Sequence, residues 1–439
     1  MSAPLLSWGR YPRLPQQSHP VAWPDEVPHA LADIAATHGE GALAYGMGRS
    51  YGDSCLAASG EVVSMRGMDR VLAADWNSGV ILAQAGLTLD ALIHMALPRG
   101  WFMPITPGTR FVTLGGATAN DVHGKNHHMK GTFGCHVRRI VMYRSDEGVV
   151  ECSREQRPEL FAATVGGLGL TGIMLAVEIQ LRRVVSGEID QRSIRFGNLD
   201  EFFAISQEHD DAHEYTVSWV DCLASGKQAG RGIYIAGNHA TSGSLVPSAA
   251  SVLSVPIDPP VSLINALSLR VFNTLYYHRQ CSRDVESRVR YASFFYPLDG
   301  VLQWNRIYGR QGFQQYQCVV PRAEGREVIG AVMAEIARAG AGSFLAVLKQ
   351  CGDIASPGLL SFPMPGVTLA LDFPQREPIN TRLFAKLDAL VHEAGGRLYP
   401  AKDAHMGADH FRHAYPQWQT VESLRDPRLM SRFWKRVTT

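Results

Sequence analysis

The chain has 439 residues, 46% hydrophobic and 19% charged, and its 42 basic and 41 acidic residues leave a net charge of +1. That apolar content can offset the entropy of ordering, which excludes a disordered chain, and the near-neutral balance excludes the broad basic field that nucleic-acid binding needs. At about 150 residues per domain, the length predicts roughly two to three domains.

In chain order, periodicity predicts a helix over 30–40, strands over 61–66 and 79–84, and a helix over 88–99 in which Leu89, Leu92, Ile93 and Leu97 share a face. The small-residue run 115–119 (Gly-Gly-Ala-x-Ala) is taken as a strand, and the adjacent His127 and His128, if also on a strand, would point apart and could not share a metal. Residues 139–144 and 147–151 form a hairpin turning at Ser145-Asp146, and 172–182 reads as a long strand. The apolar, glycine-rich stretch 165–177 is too short to span a bilayer and reads as buried core. Composition shifts near residue 186. Strands follow at 233–236 and 316–320, and helices at 324–338 and 376–394. Strands mixed with short helices, without regular βαβ alternation, predict an α+β fold. Residues 232–269 carry one formal charge, Asp258, among many Ser and Pro. This segment reads as a long mobile loop, serving as a surface linker, as a lid over a hydrophobic ligand or as a membrane contact.

The seven cysteines (55, 135, 152, 222, 281, 318 and 351) show no paired spacing and are expected to be reduced thiols. No zinc pattern is present, and no metal is expected. The amino-terminal MSAPLLSWGRYPRLPQQ lacks the basic and apolar regions of a signal peptide. A cytoplasmic protein is expected, with peripheral contact at the inner membrane as its one membrane role.

Three glycine-rich segments carry the chemistry. Residues 45–54 (YGMGRSYGDS) form a tight turn whose amides can face an anion, although the segment matches neither the Walker A loop nor the GxGxxG fingerprint. It reads either as a phosphate cradle or as an ordinary turn. Residues 113–128 (TLGGATANDVHGKNHH) place a flat small-residue surface, suited to a planar cofactor, directly before a dense cluster of hydrogen-bond donors. Residues 165–173 (VGGLGLTGI) could pack backbone against a ring system or be a glycine-rich core turn.

In this order the three segments resemble the FAD-binding domain of the vanillyl-alcohol-oxidase type. Further stretches resemble, within that superfamily, the family of decaprenylphosphoryl-β-D-ribose 2′-oxidases: GTFGCHVR (131–138), YTVSWVDCLA (215–224), GFQQYQCVVP (312–321), SFLAVLKQCG (343–352), SFPMPG (361–366), ALDFP (370–374) and GGRLYPAKD (395–403). The resemblance implies an FAD-binding domain over 1–185, a substrate domain on an antiparallel sheet over 186–394 with the mobile loop 232–269, and a segment 395–439 returning to the first domain. It implies a pyrophosphate cradle of Gly46, Gly48, Arg49, Ser50, Tyr51, Gly52 and Asp53. Gly115, Gly116, Ala117, Asn120, Asp121, His123, Gly124 and Asn126 would line the flavin. Gly172 and Ile173 would reach the adenine half, and Tyr399 the isoalloxazine side. Many superfamily members hold FAD through a histidine in this loop. Arg49 stands there in this chain and cannot form that link, so dissociable FAD is expected.

The implied reaction is oxidation of the 2′-hydroxyl of a polyprenyl-phosphate ribose to a keto sugar by hydride transfer to flavin N5, the first half of an epimerisation completed by a partner keto-sugar reductase. A buried lysine can shift toward pH 7, which makes Lys402 the first candidate for handling the hydroxyl proton, with Tyr51 and His123 as alternative base or relay. Lys125 and Lys349 would pair with the phosphate, Gln315 and Gln317 share a strand face suited to sugar hydroxyls, and Trp219 matches a pocket tryptophan. Thr368 and Ala370 stand where better-known members have Asn and Cys. Alternative readings are an FAD-dependent aldonolactone or alditol oxidase acting on a free sugar, and a non-catalytic flavin- or lipid-binding subunit.

Overall fold

The computed structural model describes residues 5–39, 41–249 and 253–439. The predicted loop 232–269 therefore lies partly outside the described residues, at 250–252. The fold is mixed α+β. Strands β1 (Gln17–Pro20) and β2 (Leu43–Tyr45) flank β3 (Glu61–Ser64) in a parallel sheet. Helix α1 (Glu26–His38) closes it by burying Val27, Leu31 and Ile34, which fall at helical spacing.

Next comes a five-stranded antiparallel sheet of β4 (Val71–Asp75), β5 (Val80–Gln84), β6 (Val137–Arg144), β7 (Gly148–Ser153) and β8 (Ile173–Gln180), in the order β4-β5-β8-β6-β7. Between β5 and β6 run α2 (Leu89–Ala96), α3 (Leu114–Ala119) and α4 (His127–Lys130). The expected strand at 115–119 is thus a helix. Thr113 caps it by accepting the Gly116 N–H at 3.1 Å, and Gly115 lets it lie close to Ala85, 3.0 Å from where a Cβ would stand. His127 and His128 likewise sit on a helical turn, not on a strand.

Apart from a short antiparallel pair, Trp101–Phe102 with Arg182–Arg183, the remaining strands among the described residues form one eight-stranded sheet: β9 (Glu188–Phe196), β10 (Tyr215–Val220), β11 (Gly232–His239), β12 (Asp284–Arg290), β13 (Phe313–Pro321), β14 (Ala346–Cys351), β15 (Gly366–Pro374) and β16 (Arg397–Leu398), ordered β12-β9-β11-β10-β14-β15-β13-β16. Helices α5 (Leu199–His209), α7 (Gly325–Ala339) and α8 (Ile379–Glu393) pack on one face, and α6 (Ala266–His278) lies between β11 and β12 in sequence. The expected loop at 232–269 therefore begins as a strand through His239 and ends inside α6. Only the intervening residues lack regular structure among those described.

Alternation along these strands sets the faces. Tyr316, Cys318, Val320, Leu348, Val367, Leu369 and Leu371 join the helix-side core. Their neighbours Gln315, Gln317, Val347, Lys349, Thr368 and Ala370 line a cavity on the opposite face.

The carboxyl-terminal helix α9 (Arg432–Thr438) carries Arg436 to the 45–54 loop. Its guanidinium bridges Asp53 at 2.9–3.0 Å and Asp403 at 2.8 Å, both carboxylates being buried. The Arg436→Met variant leaves Asp53 without a charged partner and leaves Asp403 only His405 and the backbone N–H groups of His405 and Met406. It should lose about 3 kcal/mol, the low end for a broken buried pair because the Arg436 side chain is 29% exposed, as a drop in the denaturant midpoint of unfolding.

Candidate active site

A cavity of about 400 Å³ separates the glycine-rich loops from the sheet face. One wall is the 45–54 loop. Its backbone lies against residues 401–403 through Tyr51 N–H to Ala401 O at 2.9 Å and Asp53 N–H to Asp403 O at 3.4 Å. Gly52 allows this approach, since a Cβ there would lie 1.6 Å from the Asp403 carbonyl oxygen. The contact places the Lys402 ammonium 3.6 Å from the centre of the Tyr51 ring. Arg49 stacks on Trp8 at 3.9 Å, its Nε buried without a hydrogen-bond partner. The amides of Gly48, Arg49 and Ser50 find no acceptor among the described residues, so the loop offers three donors and a cation to an anion. Helix α3 adds Gly116, where a Cβ would meet only the Thr113 hydroxyl, so backbone faces the cavity there. These features fit an FAD pyrophosphate and ring.

The facing wall holds a polar row. Lys349 Nζ lies 2.7 Å from His123 Nδ1 and also donates to the Gly124 carbonyl, while His123 Nε2 lies 3.1 Å from the Gln317 amide. Burial and the Lys349 charge hold His123 well below the usual imidazole range, so it is neutral at pH 7. With Nδ1 accepting from Lys349, Nε2 carries the hydrogen, and Gln317 receives it on its amide oxygen once that amide is turned. Both imidazole nitrogens are therefore engaged. Phe362 and Tyr399 stack on each other at 4.7 Å and flank the imidazole, each 5.7 Å from it, and the Tyr399 hydroxyl donates to Asn120 O.

Burial lowers Lys402 to about 7, opposed by the attraction of Asp372. Asp372, fully buried, is raised to about 7 by burial and accepts from Gln315 at 2.6 Å and the Tyr308 hydroxyl at 3.3 Å. Tyr51 is pushed well above the usual phenol range, first by burial and then by Asp372, and stays protonated. Lys125 falls to about 7 through burial, then the Lys349 charge; it donates to the Phe294 carbonyl. Trp219 anchors on Phe344 O at 2.8 Å and packs on Tyr276 at 4.6 Å, opening an apolar arm with Val217, Ile235 and Leu345. The Thr368 hydroxyl is buried and unpaired.

Of the sequence-derived candidates, the cavity wall gathers Gly46, Gly48, Arg49, Ser50, Tyr51, Gly115, Gly116, Asn120, His123, Gly124, Lys125, Gly172, Trp219, Gln315, Gln317, Lys349, Thr368, Tyr399 and Lys402. Six candidates lie off that wall. Gly52 faces Asp403, and Asp53 is tied to Arg436. Asp121 accepts from Gly134 N–H and from the Ser356 and Ser361 hydroxyls, bracing the loop behind it. Asn126 donates to Pro104 O and Glu214. Ala117 and Ile173 are packed in hydrophobic cores. Sequence reasoning missed Asp372, Tyr308, Tyr276 and Arg436. For Asp372 a signal existed, since it follows Thr368 and Ala370 at the strand period.

Residues 24–153 match the FAD-binding domain family. The chain is 35% identical to the decaprenylphosphoryl-β-D-ribose oxidase of Mycolicibacterium smegmatis, over 96% of this chain and 94% of that protein. It is 27% identical to the mitochondrial L-galactono-1,4-lactone dehydrogenase 1 of Oryza sativa subsp. japonica, over 36% of this chain and 27% of that protein. It is also 27% identical to the L-gulonolactone oxidase of Mus musculus, over 35% of this chain and 34% of that protein. The cavity thus belongs to an FAD-dependent oxidoreductase. The chain is a member of the decaprenylphosphoryl-β-D-ribose oxidase family.

Gly116→Val fills the wall opposite the sheet. The purified variant should lack flavin absorbance while still unfolding cooperatively in a thermal melt.

Proposed function

We propose that the protein oxidises the 2′-hydroxyl of a polyprenyl-phosphate-linked ribose to the 2′-keto sugar. One observation carries the reading: a single cavity joins a glycine cradle, three lysines (Lys349 buried, Lys125 and Lys402 half-buried) and an apolar arm. A free sugar needs neither the arm nor the extra cations, whereas a lipid-linked sugar phosphate presents a group for each. The relative matched along almost its whole length is named for such a substrate, while the lactone-oxidising relatives match over about a third of the chain.

On this reading residues 1–185 and 395–439 form the FAD-binding unit and 186–394 the substrate unit. The 45–54 loop and the Gly115-Gly116 face hold FAD without a covalent bond, because the Arg49 guanidinium is stacked on Trp8 and is no nucleophile at neutral pH. FAD supplies the hydride acceptor. Lys402 as free amine takes the proton that the substrate hydroxyl releases. Tyr51 stays protonated and shields Lys402 from water, and His123, engaged on both sides, positions Gln317 and Lys349. Lys125 and Lys349 meet the phosphate, Gln315, Gln317 and Thr368 the sugar, and Trp219 with Tyr276 the first part of the tail. A partner reductase acting on the keto product completes the epimerisation, and the apolar segment before α6 brings the enzyme to the membrane that holds its substrate.

Acid precipitation should release FAD into the supernatant, and flavin left in the pellet would refute the dissociable mode. With polyprenyl-phosphoribose, kcat/KM should rise with pH through about 7 and level off above it, because the free amine is the working form. Asp372→Asn removes a charge that favours the ammonium, so the rising limb should move to lower pH. Lys402→Met should keep its flavin absorbance and lose about 10²–10⁴ in kcat. Full turnover of a free pentitol with none of the lipid-linked sugar would overturn the substrate assignment.

A further inference from the structure

Among the described residues, seventeen large apolar side chains are exposed, and nine of them fall between residues 246 and 275. This clustering is not the scatter of single exposed hydrophobics that ordinary surfaces carry. Helix α6 is its most ordered part. Asn265 caps it, accepting the Leu267 and Ser268 N–H groups. Its inner side holds the fold: Leu269 is buried, Asn273 donates to Asp221 at 2.8 Å, Phe272 packs on Phe344 at 4.7 Å, and Tyr276 meets Trp219 in the cavity wall. Its outer side carries Leu267, Val271 and Leu275, 73%, 53% and 67% exposed. Spaced by four residues, they form one stripe along the helix. Soluble surface helices place polar residues there.

Charge identifies what the stripe meets. Residues 259–283 contain no acidic residue, and their formal charges are Arg270, Arg279 and Arg283. Arg270 is exposed, and Arg279 folds over Tyr276 at 3.7 Å. The nearest acid before the helix, Asp258, is neutralised by Arg10 at 2.6 Å. Arg283 is paired with Glu201 at 3.1 Å, which leaves Arg270 as the exposed basic group on a helix without acids. A leucine-valine stripe beside that arginine matches the interfacial layer of an anionic membrane, with the apolar side chains among the acyl chains and the guanidinium group at the phosphates. Thirteen residues make a helix about 20 Å long, too short to cross the hydrocarbon layer and suited to lie along it. No helix among the described residues is long and apolar enough to span a membrane.

We propose that α6 is a membrane-docking helix whose outer stripe enters an anionic bilayer surface while Tyr276, on its inner side, lines the cavity. The two sides of one helix then connect the bilayer to the apolar arm, and a polyprenyl tail passes along α6 to Trp219 without crossing water. The proposal rests on the lipid-linked substrate reading for its purpose, and on α6 alone for its binding surface.

The test uses the FAD-loaded protein with vesicles of phosphatidylglycerol and phosphatidylcholine, or of phosphatidylcholine alone. The wild type should co-sediment with the anionic vesicles, and more weakly as salt rises. The triple variant Leu267→Asp, Val271→Asp, Leu275→Asp should lower the partition coefficient at least about tenfold, with flavin absorbance and melting temperature kept. Arg270→Glu, a milder change at an exposed position, should lower it about fivefold or more, the loss set by one basic contact. Neither variant touches the cavity, so turnover of a water-soluble short-chain phosphoribose should be unchanged. Wild-type protein that ignores anionic vesicles, a triple variant that sediments like wild type, or a stripe that instead holds two copies together in solution would each overturn the proposal. Vesicle binding lost in the variants, with no oxidation of the short-chain sugar by wild type, would uphold the docking helix and overturn the substrate reading.

Discussion

The backbone of residues 51–53 lies directly on that of residues 401–403, and the candidate site depends on this contact. It requires a glycine at 52, because any side chain would stand inside the Asp403 carbonyl. It forces two carboxylates, Asp53 and Asp403, into one dry space, where Arg436 from the last helix bridges both and His405 adds a second contact to Asp403. Its product is the placement of Lys402 above the Tyr51 ring, at the junction of cofactor loop and sheet. Bringing the Lys402 amine to a loop some 350 positions away in sequence takes a close chain crossing, and the half-buried Arg436 holds that crossing in register.

The electrostatics of the cavity follow from its walls. Three lysines face this space; the buried acid that acts on Lys402 is Asp372, which Gln315 and Tyr308 already hold, while Asp299 lines the wall elsewhere and accepts from the Arg110 N–H. Burial lowers the proton affinity of all three. Such a cavity favours a ligand that brings negative charge, since an anion beside Lys125 or Lys349 raises their proton affinity again and pairs with the resulting ammonium. It also separates roles: a lysine beside the anion stays protonated, while Lys402, set apart over an aromatic ring, retains access to the free amine.

What could be read in the sequence was local. Glycine spacing and strand alternation repeat within a few residues, so the strands near 80–84, 137–144 and 313–321 were legible, as was the shared face of Gln315 and Gln317. The helix at 114–119 was misread because Leu-Gly-Gly-Ala-Thr-Ala offers no apolar period, and its one signal is the capping hydroxyl of Thr113. Strand β9 was missed because its alternation is interrupted by charges that pair across the sheet, as Arg192 does with Asp284. Asp53 reads as part of a phosphate loop from its neighbours, but its partner stands 383 residues away, beyond any local pattern. The 232–269 segment was legible in composition and misleading in conformation: scarce charge and abundant Ser and Pro suit a loop, yet β11 and α6 occupy its ends.

Thr368 shows how a departure from a family pattern can carry physical meaning. It lies directly across the ladder from Lys349, and its buried hydroxyl has no partner. Leaving such a group unsatisfied costs about 1–3 kcal/mol. A ligand hydroxyl or phosphate oxygen reaching that point removes the cost, whereas an apolar group keeps it. The asymmetry favours oxygen-bearing ligands beside Lys349 even though threonine reaches less far than asparagine. Ala370, two residues on and facing the same cavity, adds space and no polarity. The wall thus passes from an acid-held amide at Gln315, through a small apolar gap, to a hydroxyl-and-lysine pair. On the proposed reading, that gradient would orient a sugar phosphate with its ring toward Lys402 and its phosphate toward Lys349.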